Sequence, residues 1–141
     1  MSEQTSSGVM AGKRGLIMGV ANERSIAWGI AYKLAEQGAE LAFTFQGEAL
    51  QKRVGPLAES VGSKLVLPCD VTDEASVDSV FDRLASEWGE LDFVLHAIAY
   101  SDKEELKGGY VDTTRGNFQR TMDISVYSFT EITRKATAMM K

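Results

Sequence analysis

The residues Gly19-Val20-Ala21-Asn22-Glu23-Arg24-Ser25-Ile26-Ala27-Trp28-Gly29 follow the apolar run Leu16-Ile17-Met18 and open a helical pattern. A strand that ends in glycine and turns directly into a helix start is a cradle for phosphate. The first N–H groups of the helix have no partner, and the positive end of its dipole lies there. The chemistry this turn could perform is to hold the pyrophosphate of a dinucleotide. Its spacing departs from the common G-x-G-x-x-G. The middle glycine is missing, and Ser25-Ile26 stand where the backbone would approach the phosphates.

Three further segments follow apolar runs and could complete such a site. Asp70-Val71 could offer a carboxylate to an adenine amino group and an apolar cover to its ring; it reads equally as a turn aspartate leading into a helix cap. Phe45-Gln46 falls where an NAD site usually carries an acidic residue for the ribose diol and an NADP site an arginine. Gln46 does neither job fully, no base immediately follows it, and Lys52 and Arg53 fall on the next helix. The balance favours NAD(H), although a polar loop residue would also look like this. In His96-Ala97-Ile98-Ala99-Tyr100-Ser101, small residues would let the backbone pass close to a flat ring, or would simply pack on a sheet. His96, the single histidine, has apolar neighbours and no marked Ser or Cys nucleophile beside it, which reads as a hydrogen-bonded core histidine.

The elements that must position these residues alternate. Strands are expected over 13–18, 40–45, 64–68 and 91–99. Helices are expected over 25–37, over 47–62 with a kink or restart at Pro56, over 73–88, and from Thr113 or Thr114 to the end. Residues 101–112, with Gly108-Gly109, read as a loop. The order β-α-β-α-β-α-β-loop-α predicts an α/β fold, a doubly wound parallel sheet of the Rossmann type, with ligands outside the carboxyl ends of the strands. A helix apolar through Phe118, Met122, Ile124, Val126, Tyr127 and Phe129 is buried or lies at an interface.

Size and composition agree with one soluble domain. The chain has 141 residues, 44% of them hydrophobic and 25% charged, with a net charge of −5. The acidic balance and scattered basic residues argue against nucleic-acid or anionic-membrane partners. A single cysteine, Cys69, reads as a small packed residue, and no Cys/His spacing suggests a metal site. No segment approaches the roughly 18 apolar residues of a membrane span, and no signal core is present, so a cytoplasmic setting is expected. Residues 1–11 are expected to be a disordered tail and 12–141 a dinucleotide-binding domain. The fourth strand would have no partner on its far edge, and the last helix has no glycine stop. The expectation is therefore an N-terminal portion of a longer single-domain protein, truncated after that strand and helix.

Taken together, the segment from Gly19 to Gly29, Gly38-Ala39-Glu40-Leu41-Ala42-Phe43-Thr44-Phe45-Gln46, Cys69-Asp70-Val71, His96-Ala97-Ile98-Ala99 and Asp123-Ile124-Ser125-Val126-Tyr127-Ser128-Phe129 resemble the bacterial NADH-dependent enoyl-[acyl-carrier-protein] reductases. These are a divergent branch of the short-chain dehydrogenase/reductase superfamily. Ordinary members carry T-G-x-x-x-G-x-G and N-N-A-G, and this chain has neither.

The resemblance implies hydride transfer from NADH to the β-carbon of a trans-2-enoyl thioester on acyl carrier protein, in fatty acid biosynthesis, by a cytoplasmic homotetramer. It implies that Gly19, Ala21, Ser25 and Ile26 line the pyrophosphate and ribose, and that Gln46 lies by the adenosine ribose. Asp70 and Val71 would lie by adenine, Ile98 and Ala99 by the nicotinamide, and Ser101 at the substrate end. Where the family usually has glycine this chain has Ala99, whose methyl narrows the space beside the nicotinamide. The family's catalytic tyrosine and lysine are expected beyond residue 141, so no catalytic residue is assigned and the segment alone is expected to be inactive. Tyr100 and Lys107 match the Tyr-x6-Lys spacing but fall in the loop directly after the fourth strand, which is the wrong place. Two alternatives stand: another short-chain reductase, such as a ketoreductase, and a non-catalytic nucleotide sensor.

Overall fold

The computed structural model describes residues 8–141. Four parallel strands, β1 (Arg14–Met18), β2 (Glu40–Phe45), β3 (Leu65–Pro68) and β4 (Phe93–His96), form one sheet in the order β3-β2-β1-β4. The helices are α1 (Ile26–Glu36), α2 (Glu48–Ser60), α3 (Glu74–Glu87), α4 (Arg115–Met122) and α5 (Ser128–Thr137). Strand alternation sends successive side chains to opposite faces. Leu16 and Met18 pack with Val77, Val80 and Leu84 of α3 and Ile132 and Ala136 of α5. Ile17 and Phe43 pack with Ala27 and Ala31 of α1 and Val54 and Ala58 of α2. The chain therefore winds outward from β1 on one face and returns by α3 on the other, to β4 on β1's far side. The doubly wound Rossmann architecture follows, with its change of direction between β1 and β4.

Several expectations are corrected. Pro56 lies inside an unbroken α2. It is exposed, and Gly55 before it has no Cβ to strike the ring, so the helix passes through. In α1, where no expectation is overturned, Ala27 and Ala31 face the sheet while Ile26 is 82% exposed and Ile30 40%. Strand β4 is shorter than 91–99, because its ladder ends where Ala97 N–H donates to the Met18 carbonyl (2.9 Å) and β1 turns away. The loop after β4 contains two short 3-10 turns, Lys103–Leu106 and Tyr110–Asp112. Asp102 caps the first by accepting from Glu104 N–H at 2.9 Å.

Of the tail expected to be disordered, residues 1–7 lie outside the described residues. Residues 8–11 instead form a turn docked on Gln37: Met10 N–H donates to its carbonyl (2.9 Å) and Val9 N–H to its Oε1 (3.3 Å). The last helical stretch is likewise not uniform. A π-helical segment, Asp123–Tyr127, separates α4 from α5.

Candidate functional site

A cleft of about 440 Å³ opens at the carboxyl ends of the strands, over the change of direction. Its floor is the departure of the chain from β1 and β4. Gly19 has φ +112°, and a Cβ on it would lie 2.1 Å from the Ala97 carbonyl oxygen. Only glycine lets the two backbones meet there, so the turn after β1 stays low and the cleft stays open above it.

Beyond Gly19 the turn is tied by one side chain. Ser25 Oγ accepts from the N–H groups of Ala21 (2.9 Å) and Asn22 (3.1 Å). Its two lone pairs are thereby used, and its O–H remains to donate. Ser25 is the N-cap of α1 but makes no side-chain cap bond. Among the described residues, neither Ile26 N–H nor Ala27 N–H meets an acceptor. The turn thus offers two helix-start N–H groups and one hydroxyl donor, a set suited to an anion.

The other walls come from the ends of β2, β3 and β4. Gln46 and Leu50 line the cleft after β2, Cys69, Asp70, Val71 and Thr72 after β3, and Ala97, Ile98, Ala99 and Tyr100 after β4. Asp70 serves the turn reading: its Oδ1 accepts from Thr72 N–H (2.9 Å) and Thr72 O–H (2.6 Å). The cap of α3 is Asp73, which accepts from Ala75 N–H at 3.1 Å. Asp70 Oδ2 makes no hydrogen bond among the described residues and is available to a donor in the cleft. Cys69 is buried, and burial foremost, with Asp70 and Glu131 nearby, pushes its thiol up to about 11. It stays protonated and serves packing.

The site residues expected from sequence divide into two groups. Gly19, Ala21, Gln46, Asp70, Val71, Ile98 and Ala99 come together around the cleft. Ser25 and Ile26 sit beyond Ala21 at the start of α1, outside the lining, and Ile26 turns its side chain to solvent. Ser101 also lies outside it, where its Oγ accepts from Asn117 Nδ2 at 3.2 Å.

Arg120 and Ile124 line the cleft without having been expected. Both come from the stretch around the π segment, where a uniform helical period does not indicate which side chains turn toward the strands. His96 meets the expectation of a hydrogen-bonded histidine, with Nε2 2.8 Å from Ser128 Oγ and its ring edge-on to Phe129. Ser128 Oγ is also 2.6 Å from the Ile124 carbonyl, a distance that needs the hydroxyl proton between them. His96 Nε2 is therefore the donor to Ser128. Burial holds the imidazole pKa below its ordinary value.

A family model described as Enoyl-(Acyl carrier protein) reductase matches residues 19–141. The chain is 67% identical over 133 residues to the Enoyl-[acyl-carrier-protein] reductase [NADH] 2 of Rhizobium meliloti, covering 94% of this chain and 50% of that one. It is 62% identical to reductase 1 of the same organism, over 96% of this chain and 50% of the relative. Among solved structures, the reductase of Anaplasma phagocytophilum in complex with NAD superposes with a TM-score of 0.91 at 59% identity, over 94% of this chain and 51% of that one. The Aquifex aeolicus enzyme gives 0.93 at 48% identity, over 95% and 53%. The chain spans about half the length of the curated relatives it matches.

Proposed function

The chain belongs to the enoyl-(acyl carrier protein) reductase family, and from that premise we propose that its cleft is the NADH site of an enzyme that reduces trans-2-enoyl thioesters of acyl carrier protein in fatty acid biosynthesis. The observation that carries this reading is the Gly19 turn. Its backbone is pressed on Ala97, and a hydroxyl and two helix-start N–H groups are left unspent beside the cleft. Those donors fit a pyrophosphate, and a cradle that any Cβ would fill fits a ligand lying against the main chain. Gly19, Ala21, Ser25 and the N–H of Ile26 would hold the pyrophosphate. Gln46 would face the adenosine ribose, and Asp70 and Val71 the adenine. Ile98 and Ala99 would lie along the nicotinamide half, with Ser101 toward the acyl substrate. Bound NADH supplies the hydride for the β-carbon of the enoyl group. The chain's own part is to orient the dinucleotide and shield its flat ring with small residues.

Gln46 has no charge to attract or repel a 2′-phosphate, and no base adjoins it, which supports NADH. Among the described residues no helix is long and apolar enough to cross a membrane, consistent with a cytoplasmic enzyme. The half-exposed apolar residues of α4 and α5 support burial against further protein surface, in this reading the other subunits of the homotetramer that the resemblance implies.

The test is NADH oxidation by the intact protein, with crotonyl-CoA and acetoacetyl-CoA compared. Faster oxidation with the enoyl thioester is expected. Preference for the ketoacyl thioester would move the protein to the ketoreductases. NADH binding with oxidation by neither would make it a sensor.

A further inference from the structure

We infer that Arg120 is a positioning residue for the pyrophosphate of the dinucleotide, an inference that rests on the NADH site proposed above. Arg120 is the only cation among the described residues lining the cleft, and Asp70 the only carboxylate. A pyrophosphate brings two negative charges into that space, while the start of α1 offers only partial positive charge. Arg120 lines the same cleft as Gly19 and Ala21 and is the one full positive charge there that can add to those donors.

Arg120 makes no ion pair with a carboxylate of the described residues. Asp70, the one carboxylate on the same wall, forms no ion pair with it: Thr72 takes its Oδ1, and its Oδ2 stays open to a ligand donor. The guanidinium is nonetheless held. Its carbon lies 4.8 Å from the centre of the Tyr100 ring, a cation–π contact. Tyr100 is in turn pinned to the π segment, because its N–H donates to Ser125 Oγ (3.0 Å) and its carbonyl accepts from the same hydroxyl (3.3 Å). One turn on, Ile124 shares the cleft wall. The exposed guanidinium thus rests on the Tyr100 ring, on the wall of the cleft that the Gly19 turn floors, with no carboxylate partner among the described residues.

The test is calorimetric titration of the intact protein, wild type, Arg120→Gln and Arg120→Lys, with NADH and with adenosine, at low salt and at about 1 M salt, where screening shortens to about 3 Å. At low salt, Arg120→Gln is expected to weaken NADH about fivefold, as an exposed charge contact should. At high salt the gap should close, Arg120→Lys should keep most of the affinity, and adenosine should bind all three alike. Equal NADH affinity for wild type and Arg120→Gln at low salt would overturn the inference. So would a loss shared by adenosine, or one confined to the KM of the enoyl thioester. Failure of the wild type to take up NADH would overturn the proposed site as well; uptake by the wild type with an unchanged Arg120→Gln would overturn only the role of Arg120.

Discussion

Gly19 is a single residue on which two strands and the floor of the cleft converge. Its positive φ and the 2.1 Å approach to the Ala97 carbonyl leave no room for a side chain. Gly19→Ala is expected to cost about 2 kcal/mol or more, from left-handed backbone strain plus displacement of the β4 exit. Thermal unfolding would register the loss, and titration should show NADH affinity falling further than stability alone explains, because the cradle itself moves. His96 gives a second expectation, this one in pH. Burial lowers its folded pKa below 6.5, so the neutral form is favoured in the fold. The contribution is present above about pH 6.5 and is lost as pH falls through the folded pKa, because the unfolded chain takes up the proton first. His96→Gln retains a donor for Ser128 without titrating. Urea unfolding should show the wild type losing stability relative to this variant as pH drops from about 7 to 5. A constant difference across that range would contradict the assignment.

At the scale of elements, the π segment Asp123–Tyr127 is the joint between the site and the core. It places Ile124 on the cleft wall and Ser125 on Tyr100, while Ser128 just beyond it is buried and bonded to both His96 and the Ile124 carbonyl. Ser128→Ala should cost about 1–2 kcal/mol by leaving the His96 Nε2 donor unmet. A double-mutant cycle with His96→Phe should return a coupling of about 1 kcal/mol; additive losses would argue that the contact carries no energy. The joint also shows where sequence reading stops. Strand β2 falls on residues 40–45 as expected, because glycines bound an apolar run. The alternation of strands and helices was legible through hydrophobic period. The π segment carries no such punctuation, since one extra residue in a turn changes the direction of side chains without changing their types. Arg120 and Ile124 went unexpected for that reason. In α1 the small Ala27 and Ala31 let the helix approach the sheet closely, and Ile26 and Ile30 are left exposed.

At the scale of the whole molecule, both sheet faces are covered, and β1 and β2 lie at its centre with buried cores on either side. The surface is less settled on one side. Every residue of β4 is only partly buried, and Phe118, Met122, Val126 and Phe129 of the stretch from α4 to α5 remain 42–54% exposed. Four large apolar side chains spaced three or four residues apart make a stripe rather than scattered exposure, and such stripes mark association surfaces. The stripe adjoins the helix that carries Arg120 and Ile124, so whatever covers it also braces the cleft. Met122→Glu combined with Phe129→Glu places two charges on that stripe without altering a fully buried position. On the proposal of a homotetramer, sedimentation of the intact protein should then shift toward smaller species. NADH affinity should weaken with that shift, because the helix behind the cleft loses its support. An unchanged sedimentation coefficient would remove this stripe from the subunit interface. Dissociation with full NADH affinity would show that the cleft is held by the sheet and the π segment alone.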